Sequence, residues 1–405
     1  MILVELTMTV KGYLTKGLVM LILLCMCTAY IPSVHSANSI PLSNHALSYE
    51  EHIPFSINDD LDFTSHGFSG SGSVEDPYVI ENLRISGTIC ISIRNIDSHY
   101  VIRNCYLIGG GSNAALLMTN TRNGIVQDCI VVGNPRYGIE LSGVEEFSII
   151  NSSFHNGNSG IRMSSSRNCT AIKCTTSNNA KGIDISGGQN STVTQCKIYG
   201  NSLSGIELDG FSEGHLVFNN SIGWNGGFDD IHPLNNAEDD GTWNRWDDGI
   251  AQGNRWSNLQ QTDEHQIDGT AGSRDHFPVT LLDLDFPIIE PSSDITIEYE
   301  TRGNTVSWNA SDDFPYSYSL SLDGNEPQIM PWHGRTISVD IDNLSPGVHN
   351  ITLEVRDARG NVDQDTVDIS VIPGLIGGMG TPIVVMASIL SGISVIVVIL
   401  LIKKF

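Results

Sequence analysis

Charged residues recur at a fixed spacing through the middle of the chain. The segments GIELSG (138–143), GIRMSS (160–165) and GIDISG (182–187) are close variants of one another, and GIELDG (205–210) follows them. Side chains alternate along a strand, so the residue between the two apolar positions points to the opposite side. If the segments stack, that outward position forms a column whose members are, in chain order, Ser92, Leu117, Glu140, Arg162, Asp184, Glu207 and Asp229.

The column predicts a ligand-binding surface formed by Glu140, Arg162, Asp184, Glu207 and Asp229. Adjacent carboxylates about 5 Å apart repel one another, and a bound cation such as Ca²⁺ or a hydrogen-bonding sugar relieves that repulsion. A straight array of such groups suits a linear polymer. The plainer interpretation is a solvated polar face on which Arg162 neutralises its acidic neighbours.

Catalysis by the same column would require Arg162, Asp184 and Glu207 to take unequal roles. Retaining glycosidases use two carboxyl groups about 5–5.5 Å apart, and one of them must stay protonated. A lyase would need acidic Ca²⁺ ligands and a base, but an arginine flanked by acids holds its proton firmly. The residue types therefore favour binding over catalysis and leave both open.

A second group of acids lies in a denser part of the sequence. FDDIHP (228–233) contains Asp229 and Asp230, AEDDG (237–241) contains Asp239 and Asp240, and WDDG (246–249) follows. Carboxylates are the ligands that Ca²⁺ prefers, although the spacing is not that of an EF-hand. We expect Asp229, Asp230, Asp239 and Asp240 to be candidate Ca²⁺ ligands.

The elements that would position these residues are repeats of 21 to 24 residues. Glycines align at Gly138, Gly160, Gly182, Gly205 and Gly227, and a second column contains Cys105, Cys129, Ser153, Cys174, Cys196 and Asn220. Two columns that keep step over several repeats indicate a solenoid, and the Ile, Val, Asn, Ser and Gly content favours short strands. The predicted fold is all-β, with about seven coils over 79–231, a buried row of isoleucines and hydrogen-bonded Asn-rich corners.

The cysteines of the second column admit two interpretations. Stacked neighbours would place Cys105 near Cys129 and Cys174 near Cys196, within the distance that a disulfide requires. Buried, unreactive thiols are the alternative. Metal binding is less favoured, because no C-x-x-C pair and no histidine recurs with them.

The segments flanking the coils look different. Residues 37–78 are predicted to be an N-terminal segment and cap, and 232–290 a C-terminal cap and linker containing tryptophans that either close the solenoid or offer a shelf for sugars. Residues 291–373 show longer alternating strands such as NTVSWNA (304–310) and HNITLEVRD (349–357), which predict a small β-sandwich of immunoglobulin-like or fibronectin-like type.

The two ends predict where the chain resides. Residues 1–36 have the three-part layout of a signal peptide, and 383–402 are twenty residues without a charge, long enough for a transmembrane helix after a linker at 374–382. The lysines of the short tail 403–405 favour a type I orientation with the rest of the chain outside the cell. Sequons agree with this interpretation and predict glycosylation at Asn151, Asn168, Asn190, Asn219, Asn309, Asn343 and Asn350.

The charge balance excludes some partners. The chain contains 46 Asp and Glu against 21 Lys and Arg, a formal net charge of −25. Such a surface argues against binding nucleic acid or anionic lipid, and favours cations, neutral sugars or basic proteins.

Three stretches carry a resemblance to a known family. Residues 57–87, the coil repeats and WDDGIAQGNRWSN (246–258) are similar to the NosD-like, pectate-lyase-like proteins of archaeal cell surfaces. The resemblance implies a right-handed parallel β-helix, and it implies activities that range from polysaccharide lyase or hydrolase to sugar or copper binding. The chain departs from the enzymes of this group, because FDDIHP is not accompanied by a G-H-G or R-x-K motif. Copper is disfavoured too, since the histidines are scattered and methionines are few.

The sequence therefore predicts a membrane-anchored β-helix protein of the cell surface. Its expected role is to bind extracellular polysaccharide or a neighbouring surface protein without catalysis. A polysaccharide lyase or glycoside hydrolase and a structural component of the envelope are the alternatives.

Overall fold

The main body of the protein is a parallel β-solenoid followed by a β-sandwich. The computed structural model describes residues 49–226, 236–259, 263–334 and 336–374. The predicted signal peptide, transmembrane segment and cytoplasmic tail lie outside this range. Among the described residues, no helix is both long enough and apolar enough to cross a bilayer.

Each complete coil contributes one strand to each of three parallel sheet faces, and seven coils are complete. Face 1 contains Tyr78–Glu81, Tyr100–Arg103, Gly124–Gln127, Ser148–Ile150, Thr170–Ile172, Thr192–Thr194 and Leu216–Phe218. Face 2 contains Glu50–His52, Leu83–Gly87, the first halves of Tyr106–Thr119 and Ile130–Ser142, then Ser153–His155, Thr175–Ser177, Lys197–Tyr199, Ser221–Gly223, Arg255–Trp256 and Val279–Thr280. Face 3 contains Phe55–Ile57, Ile91–Arg94, the second halves of the two long strands, Ser159–Ser164, Lys181–Ser186, Ser204–Leu208 and Ala237–Asp239.

Parallel pairing extends beyond the predicted range of 79–231 on both sides. Strands Glu50–His52 and Phe55–Ile57 already pair with the first coil, and Val279–Thr280 pairs with Arg255–Trp256 at the other end. The outer coils lack the GIxIS pattern, so the repeat alone could not reveal them. A short parallel pair, Gly188–Gln189 with Ser212–Glu213, lies at a corner, and the C-terminal cap contains a short antiparallel pair, His265–Gln266 with Arg274–Asp275.

The interior of the solenoid is an apolar stack. Ile139, Ile161, Ile183 and Ile206 are register partners and are fully buried, which confirms the predicted isoleucine row. A fully buried isoleucine contributes about 1.5–3 kcal/mol relative to an exposed one. A single coil cannot enclose this surface, so the stack is the stable unit.

Glycine is required where consecutive coils approach most closely. A Cβ at Gly138 would lie 2.5 Å from the carbonyl oxygen of Gly160, and one at Gly182 would lie 2.6 Å from that of Gly205. No side chain fits at such distances. The aligned glycines of the repeat therefore set the coil spacing.

Asparagines form a ladder inside one corner, as the Asn-rich turns predicted. The Nδ2 atoms of Asn179, Asn201 and Asn225 donate to the Oδ1 of the next ladder member at 3.2, 2.9 and 3.0 Å, and Asn236 donates on to Asn258. Each of these Oδ1 atoms also accepts the backbone N–H of the preceding ladder member. The ladder thus satisfies backbone donors that strands leave free at a corner.

The cysteine column contains free, buried thiols. Its third member is Ser152, although the sequence alignment predicted Ser153. The Oγ atom of Ser152 accepts the N–H of Cys129 at 3.1 Å. The thiols of Cys129 and Cys196 donate to backbone carbonyl oxygens two residues back at 3.3 Å. Burial raises the pKa of Cys90 and Cys169 to about 11, so these thiols stay protonated at neutral pH.

Both ends of the solenoid are covered. Helix α1 (Asp60–Ser65) begins at its N-cap Asp59 and buries Phe63, whose ring stacks on Tyr78 at 4.3 Å. At the other end Trp246 and Trp256 are buried and donate their indole N–H groups to Asp239 and Asp275 at 2.9 and 2.8 Å. These two tryptophans close the core, whereas Trp243 is 80% exposed.

The sandwich packs a three-stranded sheet against a five-stranded sheet. The first contains Ile288–Glu290, Thr305–Ser311 and Ile337–Asp340, and the second contains Ile295–Glu298, Val362–Ile372, Gly347–Asp357, Pro315–Leu322 and Gln328–Pro331. Trp308 and Ile337 of the first sheet share one buried core with Leu353 and Val367 of the second. A separate apolar cluster joins Tyr199 and Leu281 to Phe314 and Ala358 at the junction with the solenoid.

Candidate binding surface on face 3

The outward column of face 3 is continuous, as predicted, with one correction. The parallel register pairs Ser92 with Leu117 and continues through Glu140, Arg162, Asp184 and Glu207. The next position belongs to Glu238 and not to Asp229, and an isolated bridge joins Glu238 to Asp268. This coil is longer than the others, so extending the repeat at constant spacing gave the wrong residue. Asp229 and Asp230 lie outside the described residues.

In the first half of the column, one arginine is paired with both acids. The Nη1 atom of Arg162 contacts Oδ2 of Asp184, its Nε atom lies 3.9 Å from Oε1 of Glu140, and the guanidinium sits 5.1 Å from the ring centre of Tyr137. The Asp184 side chain is only 8% exposed. Arg162 is therefore paired with two acids. This arrangement is expected on a polar face, and it makes Arg162 unsuited to act as a general base.

The second half of the column is acidic. The Nζ atom of Lys181 lies 2.6 Å from Oε1 of Glu207, and Glu238 and Asp268 follow without a hydrogen bond to either carboxylate from a described residue. Burial raises the pKa of Glu238, and the nearby charge of Glu207 adds to this shift. Burial also raises the pKa of Asp268. One cation thus faces three carboxylates.

An open cavity of about 340 Å³ lies at this acidic half. It is lined by Lys181, Leu203, Ser204, Glu207, Ala237, Glu238 and Asp268. Leu203 is 57% exposed and supplies an apolar wall, while the charged groups supply one donor and several acceptors. We name this cavity with its lining residues the acidic pocket. It can hold a group that donates several hydrogen bonds or carries positive charge.

Three charged residues of the acidic pocket were not predicted as site residues from the sequence. Lys181 stands three residues before Asp184 and pairs across coils with Glu207, a contact that only the register reveals. Asp268 reaches the column through a bridge outside any strand. Glu238 lacked the apolar–charged–apolar signal of the earlier segments, because Asp239 stands where they have an apolar residue such as Leu208.

The cap acids Asp239 and Asp240 are engaged by protein donors. Asp239 accepts hydrogen bonds from Asn244, Trp246 and Ser273 at 2.7–2.9 Å, and it also accepts the N–H of Gly241. Asp240 accepts two hydrogen bonds from Thr270, which hold the pKa of its carboxyl below the usual range. Their observed contacts stabilise the cap, and Ca²⁺ binding there stays a prediction.

The predicted glycosylation sites are sterically accessible. All seven sequon asparagines are exposed, on both the solenoid and the sandwich. Asn151, Asn168, Asn190 and Asn219 lie on corners of the solenoid, and Asn309 and Asn350 lie within strands of the sandwich.

Comparison with known proteins supports the fold and gives limited information on function. A segment of halomucin from Haloquadratum walsbyi is 29% identical over 113 residues, which cover 25% of this chain and 1% of halomucin. Among solved structures, the A-module of mannuronan C-5 epimerase AlgE6 from Azotobacter vinelandii is 17% identical, with a TM-score of 0.32; the match covers 48% of this chain and 53% of that module. Residues 78–238 match the family model for a right-handed beta helix region, so this part of the chain is a right-handed parallel β-helix.

Proposed function

We propose that this protein is displayed on the cell surface and binds a neutral or cationic polysaccharide along face 3, without cleaving it. The acidic pocket is the observation that carries the proposal. It combines a fixed donor at Lys181 with the acceptors Glu207, Glu238 and Asp268 beside the exposed side chain of Leu203. Sugar-binding sites need such convergent polar groups next to apolar surface.

The charge of the pocket selects the class of polymer. Three carboxylates and one ammonium leave a net negative charge, which the overall charge of −25 reinforces. A polyanion would be repelled at moderate ionic strength, whereas hydroxyl groups or amino sugars would donate to the carboxylates. Charge-assisted hydrogen bonds of this kind contribute about 1.5–3 kcal/mol each.

The surface location rests on the sequence. The predicted signal peptide at 1–36, the predicted transmembrane helix at 383–402 and the exposed sequons agree with an ectodomain outside the cell. The similarity of one segment to halomucin is compatible with this location. A neighbouring surface protein is the other partner that this location would offer.

Hydrolysis is a second candidate function, favoured by the unequal environments of two neighbouring carboxyls. Glu207 is paired with Lys181, and the pKa of Glu238 is raised by burial. Register neighbours on adjacent strands are about 4.8 Å apart, close to the separation in retaining glycosidases. Glu238 is exposed, which limits how far its proton is held.

The test uses the full-length chain in detergent and immobilised polysaccharides, namely a neutral glucan, chitosan and polygalacturonate. We expect retention on the first or second polymer, and we expect the double variant E207Q/E238Q to lose at least tenfold in affinity. The control E81Q changes an exposed glutamate of face 1 that pairs with Arg103, and it should bind normally.

The same incubations are followed for new chain ends. Release of ends that depends on Glu238 would replace the binding proposal with a hydrolase. Failure to retain any polymer, or equal retention by the double variant and wild type, would overturn the assignment of the acidic pocket to carbohydrate.

A further inference from the structure

Three carboxylates converge where the solenoid meets the sandwich. Asp283 follows the last solenoid strand, Val279–Thr280, while Asp312 follows strand Thr305–Ser311 and Asp357 ends strand Gly347–Asp357. One oxygen from each carboxylate lies within 4.8 Å of the other two. These residues are far apart in the sequence and belong to no motif, so the fold alone brings them together.

Two of these carboxylates carry buried oxygens with no protein partner. Asp283 is 4% exposed, and its Oδ2 is fully buried without a hydrogen bond from any described residue. The Oδ2 of Asp312 is in the same condition, although Oδ1 accepts the N–H of Phe314 at 2.6 Å. An unsatisfied buried carboxylate oxygen is costly, because burial removes the water that would otherwise solvate it.

The third carboxylate is held rigidly in place. Asp357 is fully buried, and its Oδ1 accepts the backbone N–H groups of Arg359, Gly360 and Asn361 at 2.7–2.9 Å. Its Oδ2 accepts Nδ2 of Asn361 at 2.7 Å. This turn fixes the position of the Asp357 carboxylate beside the other two acids.

Protein cations near the cluster do not satisfy it. Arg359 donates its Nη1 to the backbone oxygen of Asp283 at 2.6 Å, and Lys197 pairs with the exposed Asp313 at 3.2 Å. Burial raises the pKa of both Asp283 and Asp312 to about 6, and the neighbouring acids add to the shift. The nearby cations among the described residues therefore leave the buried Oδ2 atoms of Asp283 and Asp312 without a partner.

We propose that Asp283, Asp312 and Asp357 bind one Ca²⁺ ion that fastens the sandwich to the end of the solenoid. Ca²⁺ accepts carboxylate oxygens at about 2.3–2.6 Å, and oxygens at that radius can lie up to about 5 Å apart. Oxygens that all lie within 4.8 Å of one another are therefore close enough to share one ion. Three protein carboxylates in one site suit Ca²⁺, which takes about six to eight oxygen ligands in flexible geometry, whereas Mg²⁺ is usually held by one or two carboxylates. The ion would give the orphaned oxygens of Asp283 and Asp312 their missing partner.

The first measurement is calorimetric titration of the full-length, metal-stripped chain with Ca²⁺, for wild type, D283N and D312N. We expect each variant to bind one Ca²⁺ fewer per chain than wild type. The control D97N changes an exposed acid on a solenoid corner that pairs with Arg122, and it should keep the wild-type stoichiometry. Mg²⁺ at the same concentration should produce a much smaller signal.

The second measurement separates ion binding from misfolding. At a Ca²⁺ concentration of about one hundred times Kd, we expect the Tm of wild type to rise by about 5 °C over its value in chelator, and we expect D312N to show no rise. In chelator D312N should be at least as stable as wild type, because it removes like-charge repulsion. Equal stoichiometry in wild type and both variants, or a Ca²⁺-dependent rise in the Tm of D312N, would overturn the proposal.

Discussion

Two buried groups of polar side chains, the asparagine ladder and the carboxylates at the junction, differ in whether their hydrogen-bonding atoms have partners. In the asparagine ladder each side chain donates to the next member and accepts a backbone N–H, so Asn201, which is fully buried, has partners on both sides. At the junction Asp283 and Asp312 place carboxylate oxygens together, and neither Oδ2 has a donor among the described residues.

The difference follows from the chemistry of the two groups. An amide carries a donor and an acceptor, so a column of amides can saturate itself along the stack. A carboxylate only accepts, so a group of carboxylates needs an outside donor, a proton or a cation. The ladder therefore satisfies its hydrogen bonds without a ligand, whereas the carboxylates at the junction need a further donor or cation.

The largest effect is expected when the ladder is interrupted. N201A would leave the backbone N–H of Asn179 without its acceptor, would remove one of the three acceptors of Asn179 Nδ2, and would open a small cavity. We expect a loss of about 2–4 kcal/mol in the free energy of unfolding, measured by chemical denaturation. The control S202A alters the exposed neighbour and should change stability by less than about 0.5 kcal/mol. A mild effect of N201A would mean that water can replace the amide.

A smaller effect, of opposite sign, is expected at the junction in the absence of metal. Asp312 has a pKa of about 6 in the folded chain, compared with 3.8 for an ordinary Asp carboxyl. The folded chain therefore holds this proton more tightly than the unfolded chain does. Stability from this group is present below pH 4 and is lost as pH rises from about 4 to 6. Thermal scans in chelator should show a shallower decline over that range in D312N than in wild type. Parallel curves would show that Asp312 ionises as freely as in water.

The smallest effect is expected for a column of charged side chains on the solvent-facing side of a corner. Glu145 pairs with Arg167 at 2.9 Å on an outer corner, and Arg122 occupies the same column one coil earlier. Hydrogen bonding to Arg167 lowers the pKa of Glu145, but water screens the pair. E145Q should leave Tm unchanged within error, and a clear drop would mean that exposed columns also hold the coils in register.

Sequence analysis predicted the features that recur from coil to coil and missed those that occur only once. The isoleucine row and most of the outward column followed from a constant period, because each coil buries the same face at the same spacing. The position assigned to Asp229 was wrong because that coil contains an insertion. Ser153 was predicted in place of Ser152 because two adjacent serines cannot be told apart without the strand register. Asp283, Asp312 and Asp357 could not be predicted, since no local pattern encodes the docking of one domain on another.

The close backbone approach at the glycine column has a consequence for how such a protein can change its length. Because Gly138, Gly160 and Gly182 each lie against the carbonyl of the following coil, a residue inserted within one of these strands would displace the glycine, whereas a corner can take extra residues and a whole duplicated coil would meet matching surfaces above and below. Length should therefore vary in steps of one coil, each adding about 4.8 Å to face 3. Gene duplication could lengthen the binding surface in such steps without redesigning either cap.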